Sequence, residues 1–207
     1  MLKSLLLAIV ATVAAAAATP LDSYLNDMKT LRTSFVQTLA DGHGKEIDRS
    51  TGTLIVSRPG KFSWEIHPQG TDKGTGQLMV ADGRNLWFLD RDLEQVTVKP
   101  VDAALSATPA MLLSGTVDVR KNFNISPAPR RDGLDWVLVE PHGTEADFRR
   151  ALMGFAGKDL KRMILEDKLG QTATVMFDHV ERNGKVAPEE VSFTPPAGVD
   201  VIGTPGK

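Results

Sequence analysis

Most of the chain after residue 53 consists of short segments in which apolar and polar residues alternate, separated by turn residues. In segment 61–67, Phe62, Trp64 and Ile66 alternate with polar residues, which is the period of a strand with one apolar face. An Asp-Gly pair at 82–83 is a strong hairpin signal. The pattern predicts about ten antiparallel strands. They cover Thr53–Ser57, Lys61–His67, Gln77–Ala81, Arg84–Asp90, Leu93–Lys99, Val117–Ile125, Leu134–Glu140, Phe148–Phe155, Leu160–Asp167, Gln171–Val180 and Glu190–Thr194.

Helical patterns are found in two places. Thr19-Pro20 can cap and begin a helix, and apolar residues then recur at three-four spacing from Leu21 to Leu39. This predicts one long N-terminal helix. Residues 101–107 and 109–114 predict two short apolar helices. With the strands, they indicate a mainly β, α+β fold in which a strongly curved sheet or incomplete barrel carries helices on one face.

The first 18 residues differ in composition from the rest of the chain. A single basic residue, Lys3, precedes an apolar run and then a tract of alanines, which is the layout of a cleaved secretory signal peptide. A membrane anchor is the alternative, but the apolar run is shorter than the ~20 residues that a spanning helix needs. We therefore expect residues 1–18 to be a signal peptide and residues 19–207 to form a single domain.

Motifs for catalysis or cofactor binding are absent from the sequence. It has no cysteine, its four histidines are dispersed, and it lacks the HExxH, phosphate-loop and GxSxG patterns. The cluster Asp90, Asp92 and Glu94 is typical of a solvated strand end. A formal net charge of −2 without a basic run disfavours nucleic-acid binding. We expect no enzyme activity, no metal and no cofactor.

Aromatic residues and methionines are the main features of the predicted strands. They fit an ordinary core or the wall of a ligand cavity, and spacing alone does not distinguish a filled barrel from a hollow one. Arg58 precedes a proline, which favours an extended backbone. Its planar guanidinium either pairs with a surface carboxylate or holds the carbonyl groups of another element across a gap.

Four segments in a fixed order resemble the LolA family of periplasmic carriers of outer-membrane lipoproteins. They are RPGKFSW, VADGRNLWF, DLEQVTV and TPAMLLSG, which begin at residues 58, 80, 92 and 108. The resemblance extends to Leu21–Gln37 and to FTPP at 193–196, and so covers nearly the whole chain after residue 18. The chain departs from the family at Leu89 and Arg91, where relatives often have other residues in an LWxYDP segment.

The resemblance implies an unclosed antiparallel barrel whose apolar concave side takes up the acyl chains of a lipoprotein. It implies that residues 102–114 form lid helices, and that Arg58 is a latch that hydrogen-bonds the lid and holds the empty cavity closed. We expect the cavity and its mouth to be lined by Phe35, Phe62, Trp64, Met79, Trp87, Phe88 and Leu112.

The resemblance also implies partners and a location. Cargo would be received from the inner-membrane transporter LolCDE and passed to the outer-membrane acceptor LolB, with the carrier a monomer in the periplasm. Two other hypotheses remain open. One is a periplasmic carrier of another amphiphile, such as a glycolipid or pigment, and the other is a regulatory domain that binds a protein tail.

Overall fold

The computed structural model describes residues 18–71, 74–101, 109–115, 119–143, 146 and 148–206. The predicted signal peptide, except for Ala18, and the predicted helix over 101–107, except for Val101, lie outside the described residues. The described helices are α1 (Pro20–Asp27), α2 (Pro109–Ser114) and α3 (Val119–Asn122), with a 3₁₀ helix at Pro188–Val191. The strands are β1 (Thr30–Ala40), β2 (Glu46–Ser57), β3 (Lys61–Pro68), β4 (Gln77–Asp82), β5 (Asn85–Asp90), β6 (Gln95–Pro100), β7 (Phe123–Arg131), β8 (Leu134–Pro141), β9 (Phe148–Ala156), β10 (Asp159–Asp167), β11 (Thr172–Arg182) and β12 (Asp200–Gly203).

The strands within the described ranges form one sheet of 12 strands, in the order β12-β6-β5-β4-β3-β2-β1-β11-β10-β9-β8-β7. All neighbours pair antiparallel except β12, which lies parallel to β6. The sheet is unclosed, because β12 and β7 form its two edges. It is also curved, since residues of β3–β5 and of β10–β11, which are separated by β1 and β2, line one cavity. The predicted curved, unclosed antiparallel sheet is confirmed.

The prediction of one long N-terminal helix is wrong. The helix α1 ends at Asp27, and residues 30–40 form β1, which pairs with both β2 and β11. Leu31, Thr33 and Phe35 are buried in alternation with more exposed neighbours, which is the period of a strand. The apolar residues Leu31, Phe35 and Leu39 are four positions apart, a spacing that fits one helix face and one strand face equally.

Other elements also differ from the prediction near both ends of the sheet. The segment 126–133, predicted as a break, mostly continues strand β7. Its prolines at 127 and 129 are tolerated because β7 is an edge strand. The predicted strand over 190–194 is a 3₁₀ helix followed by irregular chain, and part of the extended tail forms β12.

Apolar side chains lie on both faces of the sheet. The larger cluster lies on the concave face and includes residues of α1, α2 and most strands. A smaller cluster on the opposite face of β4–β6 is covered by Phe193 and Val199 from the C-terminal segment. The concave cluster therefore forms the main core, and it contains the candidate site.

Candidate ligand cavity

The centre of the concave face is built from three neighbouring strands. In the sheet register, Trp64 of β3 lies opposite Met79 of β4, which lies opposite Phe88 of β5. Side chains at opposed positions of neighbouring strands point to the same face. The Trp64 ring also contacts Phe35 of β1 edge-on, with ring centroids 5.4 Å apart. The period-two pattern of each strand thus brings one aromatic and methionine-rich surface together.

A cavity of about 180 Å³ lies over this surface. Its wall is mainly apolar and combines residues from both halves of the sheet. The lining residues are Gln37, Trp64, Ile66, Gln77, Met79, Phe88, Leu165 and Ala173. The volume is smaller than the roughly 300–1,000 Å³ of pockets that enclose drug-sized ligands. In this conformation the concave face is therefore mostly packed, with a limited hollow.

The predicted cavity residues have different surroundings. Trp64, Met79 and Phe88 line the hollow. Phe35 and Phe62 are buried within the concave cluster, with Phe62 fully inaccessible to solvent. Leu112 belongs to α2 and is also fully buried there, where α2 packs against β2 and β3. A larger cavity that included Phe62 and Leu112 would require α2 to move away from β2 and β3.

Trp87 is not part of this surface. The side chains of Trp87 and Phe88 point to opposite faces of β5. Trp87 lies in the smaller cluster, where its ring contacts Phe193 at a centroid distance of 5.4 Å. Its indole nitrogen donates to Asp82 Oδ2 at 2.7 Å. The expectation that Trp87 lines the cavity is therefore wrong. Successive strand residues point to opposite faces, and both faces of β5 are covered.

The sequence prediction missed several lining residues. Ile66 continues the alternation of Phe62 and Trp64, so the strand pattern could have indicated it. Leu165 and Ala173 come from β10 and β11, on the far side of β1 in the sheet order. Only the curvature of the sheet brings them to the cavity, and no local pattern encodes that approach.

Arg58 lies at the turn between β2 and β3 and contacts the end of α1. Its Nη1 donates to the carbonyl oxygen of Leu25 and lies 3.5 Å from that of Met28. The last carbonyl groups of a helix have no partner within the helix, and a cation there interacts favourably with the helix dipole. Burial lowers the pKa of the Arg58 guanidinium. The acceptors of Arg58 are thus backbone carbonyl groups of α1 and the residue after it. This agrees with the interpretation that the guanidinium holds the carbonyl groups of another element.

The same turn contacts the end of α2. The Arg58 guanidinium lies against Gly115, where a Cβ atom would collide with it. The backbone nitrogen of Gly60 donates to the carbonyl oxygen of Ser114 at 2.9 Å. One short turn therefore links β2 and β3 to both α1 and α2. Residues 102–108 of the expected lid lie outside the described residues.

An ion pair connects α1 to α3. Arg120 donates from Nε and Nη2 to the two oxygens of Asp22, at 3.0 and 2.6 Å. The backbone nitrogen and hydroxyl of Thr19 donate to Oδ2 of Asp22 at 2.6 and 2.8 Å. Partial burial by itself would raise the pKa of Asp22, but the hydrogen bonds from Arg120 and Thr19 outweigh it and lower the pKa.

Two further properties concern the described part of the chain only. Within residues 18–206, apart from the gaps given above, no group of three or more His, Asp or Glu residues is arranged to hold a metal ion. In the same residues, no helix has the length and apolar character needed to cross a membrane.

Comparison with known proteins assigns the family. A family model described as outer membrane lipoprotein carrier protein LolA matches residues 26–194. The chain is 39% identical over 189 residues to the outer-membrane lipoprotein carrier protein of Dechloromonas aromatica, covering 91% of this chain and 88% of that protein. It is 39% identical over 183 residues to the protein of the same name from Nitrosospira multiformis, covering 88% and 86%.

The fold has a counterpart among solved structures. The crystal structure of an uncharacterized conserved protein from Thermus thermophilus aligns with a TM-score of 0.51 at 12% identity, covering 88% of this chain and 96% of that one. This likeness concerns the fold alone. The family model and the two bacterial relatives, by contrast, match most of the sequence. The chain therefore belongs to the LolA family of outer membrane lipoprotein carrier proteins.

Proposed function

We propose that this protein is a periplasmic carrier that encloses the acyl chains of lipoproteins released from the inner membrane and delivers them to an outer-membrane acceptor. The observation that carries the proposal is an apolar concave surface, covered by α2, in a member of this family. The relatives named above are outer-membrane lipoprotein carrier proteins, which supports the same cargo for this chain.

The physical need for such a carrier follows from the hydrophobic effect. Exposure of one methylene group to water costs about 0.8 kcal/mol, so one long acyl chain costs on the order of 10 kcal/mol. A soluble carrier has to present a comparable apolar surface to the chain. A large apolar patch that stayed exposed in the empty carrier would promote aggregation or membrane adhesion. The empty carrier therefore benefits from a closed conformation.

The cavity dimensions support two conformations. A hollow of about 180 Å³ is too small to enclose a drug-sized ligand, and several acyl chains need more space still. Loading would separate α2 from the sheet and expose Phe62 and Leu112 to the cargo. We propose that Arg58 is the latch of the closed conformation, since its turn contacts both α1 and the end of α2. Cargo would then shift the population toward the open conformation.

The remaining aspects of the proposal follow the family. We propose a monomer without enzyme activity that receives cargo from LolCDE and passes it to LolB. Residues 1–18 would direct export and be removed, leaving residues 19–207 as the single carrier domain. Identification of the N-terminal residue of the exported protein by sequencing tests this processing.

The decisive experiment adds purified protein, without residues 1–18, to spheroplasts and identifies the bound molecules by mass spectrometry. We expect acylated lipoproteins to leave the membrane with the protein. Ala173→Phe, which adds a ring to the cavity wall, is the matched control and should retain less cargo. Recovery of glycolipid or pigment alone would favour a carrier of another amphiphile, and a peptide without acyl chains would favour a regulatory domain. Either outcome would contradict the proposal.

A further inference from the structure

Trp64 has an unusual polar group for a residue of an apolar cavity wall. Only 9% of its surface is exposed, and it lines the cavity. Its indole Nε1 is buried and has no hydrogen-bond partner in the described part of the chain. A buried donor without an acceptor is unfavourable, so most buried N–H groups in proteins are paired.

The other two tryptophans show the usual arrangement. Nε1 of Trp87 donates to Asp82 Oδ2 at 2.7 Å, and Nε1 of Trp136 donates to the backbone carbonyl oxygen of Arg131 at 3.1 Å. Both residues lie outside the cavity lining. The unpaired indole among the three tryptophans is thus the one at the candidate ligand site.

The identity of the missing acceptor follows from the surroundings of the indole. Two cavity residues near Trp64 are apolar and offer no strong acceptor: Met79, opposite it on β4, and Ile66, two positions along β3. A pure hydrocarbon chain would leave the N–H unpaired as well. An acyl chain differs from an alkyl chain at one point that matters here, the carbonyl oxygen of its ester or amide link, which is a strong acceptor. Gln37 and Gln77 lie in the same wall and carry amide oxygens, but neither accepts a hydrogen bond from the indole.

We propose that Trp64 is a specificity-determining residue that donates its indole N–H to the carbonyl oxygen of an acyl ester or amide and thereby selects acyl over alkyl chains. This inference rests on the proposed function, because it assumes that chains enter this cavity. The apolar wall holds either kind of chain, and the indole distinguishes them. Trp64 also sets the depth at which the linkage lies, since the carbonyl group comes to rest beside β3.

The test compares two probes that differ only in the carbonyl group, 1-tetradecanoyl-glycerol and 1-O-tetradecyl-glycerol. Their dissociation constants are measured with wild type, Trp64→Phe and the control Trp87→Phe, which lies on the opposite face of the sheet. One hydrogen bond is worth about 1 kcal/mol, or about fivefold in affinity. We expect the preference for the acyl probe to fall about fivefold in Trp64→Phe and to stay unchanged in Trp87→Phe. Comparing ratios between proteins cancels the different hydration of the two probes.

Nuclear magnetic resonance of the wild-type protein gives a second readout that needs no folded variant. The chain has three tryptophans and hence three indole N–H signals. We expect the Trp64 signal to move downfield with the acyl probe and not with the alkyl probe, while the signals of Trp87 and Trp136 serve as internal controls. Two results would overturn this inference alone. One is an acyl preference in Trp64→Phe equal to that of the wild type, and the other is an equal shift of the Trp64 signal with both probes. Failure of both probes to bind would contradict the proposed acyl-chain binding itself.

Discussion

Replacement of Arg58 by leucine tests whether the β2–β3 turn holds the cavity closed. The guanidinium donates to the carbonyl oxygen of Leu25, lies near that of Met28 and packs against Gly115. A hydrogen bond from a charged group is worth about 1.5–3 kcal/mol. If these contacts exist only in the closed conformation, leucine removes about 2 kcal/mol of its stability. Since 1.4 kcal/mol corresponds to a tenfold change, the ratio of open to closed molecules rises about 30-fold.

The assay measures release of an acylated cargo from the loaded carrier to acceptor vesicles, together with the affinity for that cargo. A ligand that binds only the open conformation gains affinity as that conformation becomes more populated. We therefore expect Arg58→Leu to bind cargo up to about 30-fold more tightly and to release it more slowly. Arg58→Lys keeps the charge but loses the planar fork, and should fall between the two proteins.

Arg32→Leu is the matched control for the loss of a partly buried arginine. Arg32 pairs with Glu190 at 2.7 Å, and no described hydrogen bond joins it to α1 or α2. Its release rate should equal that of the wild type. Wild-type affinity and release in Arg58→Leu would show that the contacts of Arg58 do not control opening, and the latch would have to be abandoned.

Three other perturbations test the packing and the electrostatics of the closed structure. Phe62→Ala should lower the free energy of unfolding by about 3–5 kcal/mol in a denaturant titration, and an unchanged value would contradict its burial in the core. Gly52→Ala should lower the melting temperature, because a Cβ there would collide with the backbone oxygen of Glu65 and the Phe35 ring. An unchanged melting temperature would show that β1–β3 pack more loosely. Because the pKa of Asp22 is lower in the folded protein, the stability that it contributes is fully present above the unfolded value of about 4 and is lost below it, as the pH falls through the lower folded value. Asp22→Asn should therefore show a weaker loss of stability on acidification in melts at several pH values, and identical pH profiles would argue against the pair with Arg120.

The sequence by itself determined which residues share a face within each strand of the central sheet. The side-chain period of a strand is two, so Phe62, Trp64 and Ile66 lie together once the segment is recognised as a strand. The Asp82-Gly83 pair likewise ends β4 in a hairpin, where Asp82 Oδ1 accepts from the backbone nitrogens of Arg84 and Asn85, both at 2.8 Å. These are local relations, which the backbone geometry enforces in any surroundings.

Only the tertiary structure decided which elements cover each face and which segments pair. Residues 30–40 carry a pattern that fits a helix or a strand, and pairing with β2 and β11 selects the strand. Both Trp87 and Phe88 are apolar, and the C-terminal segment with Phe193 determines that Trp87 belongs to a second core rather than to the cavity. The hydrophobic effect is non-directional. Local sequence therefore shows that a side chain is buried, whereas the long-range arrangement of strands decides what buries it.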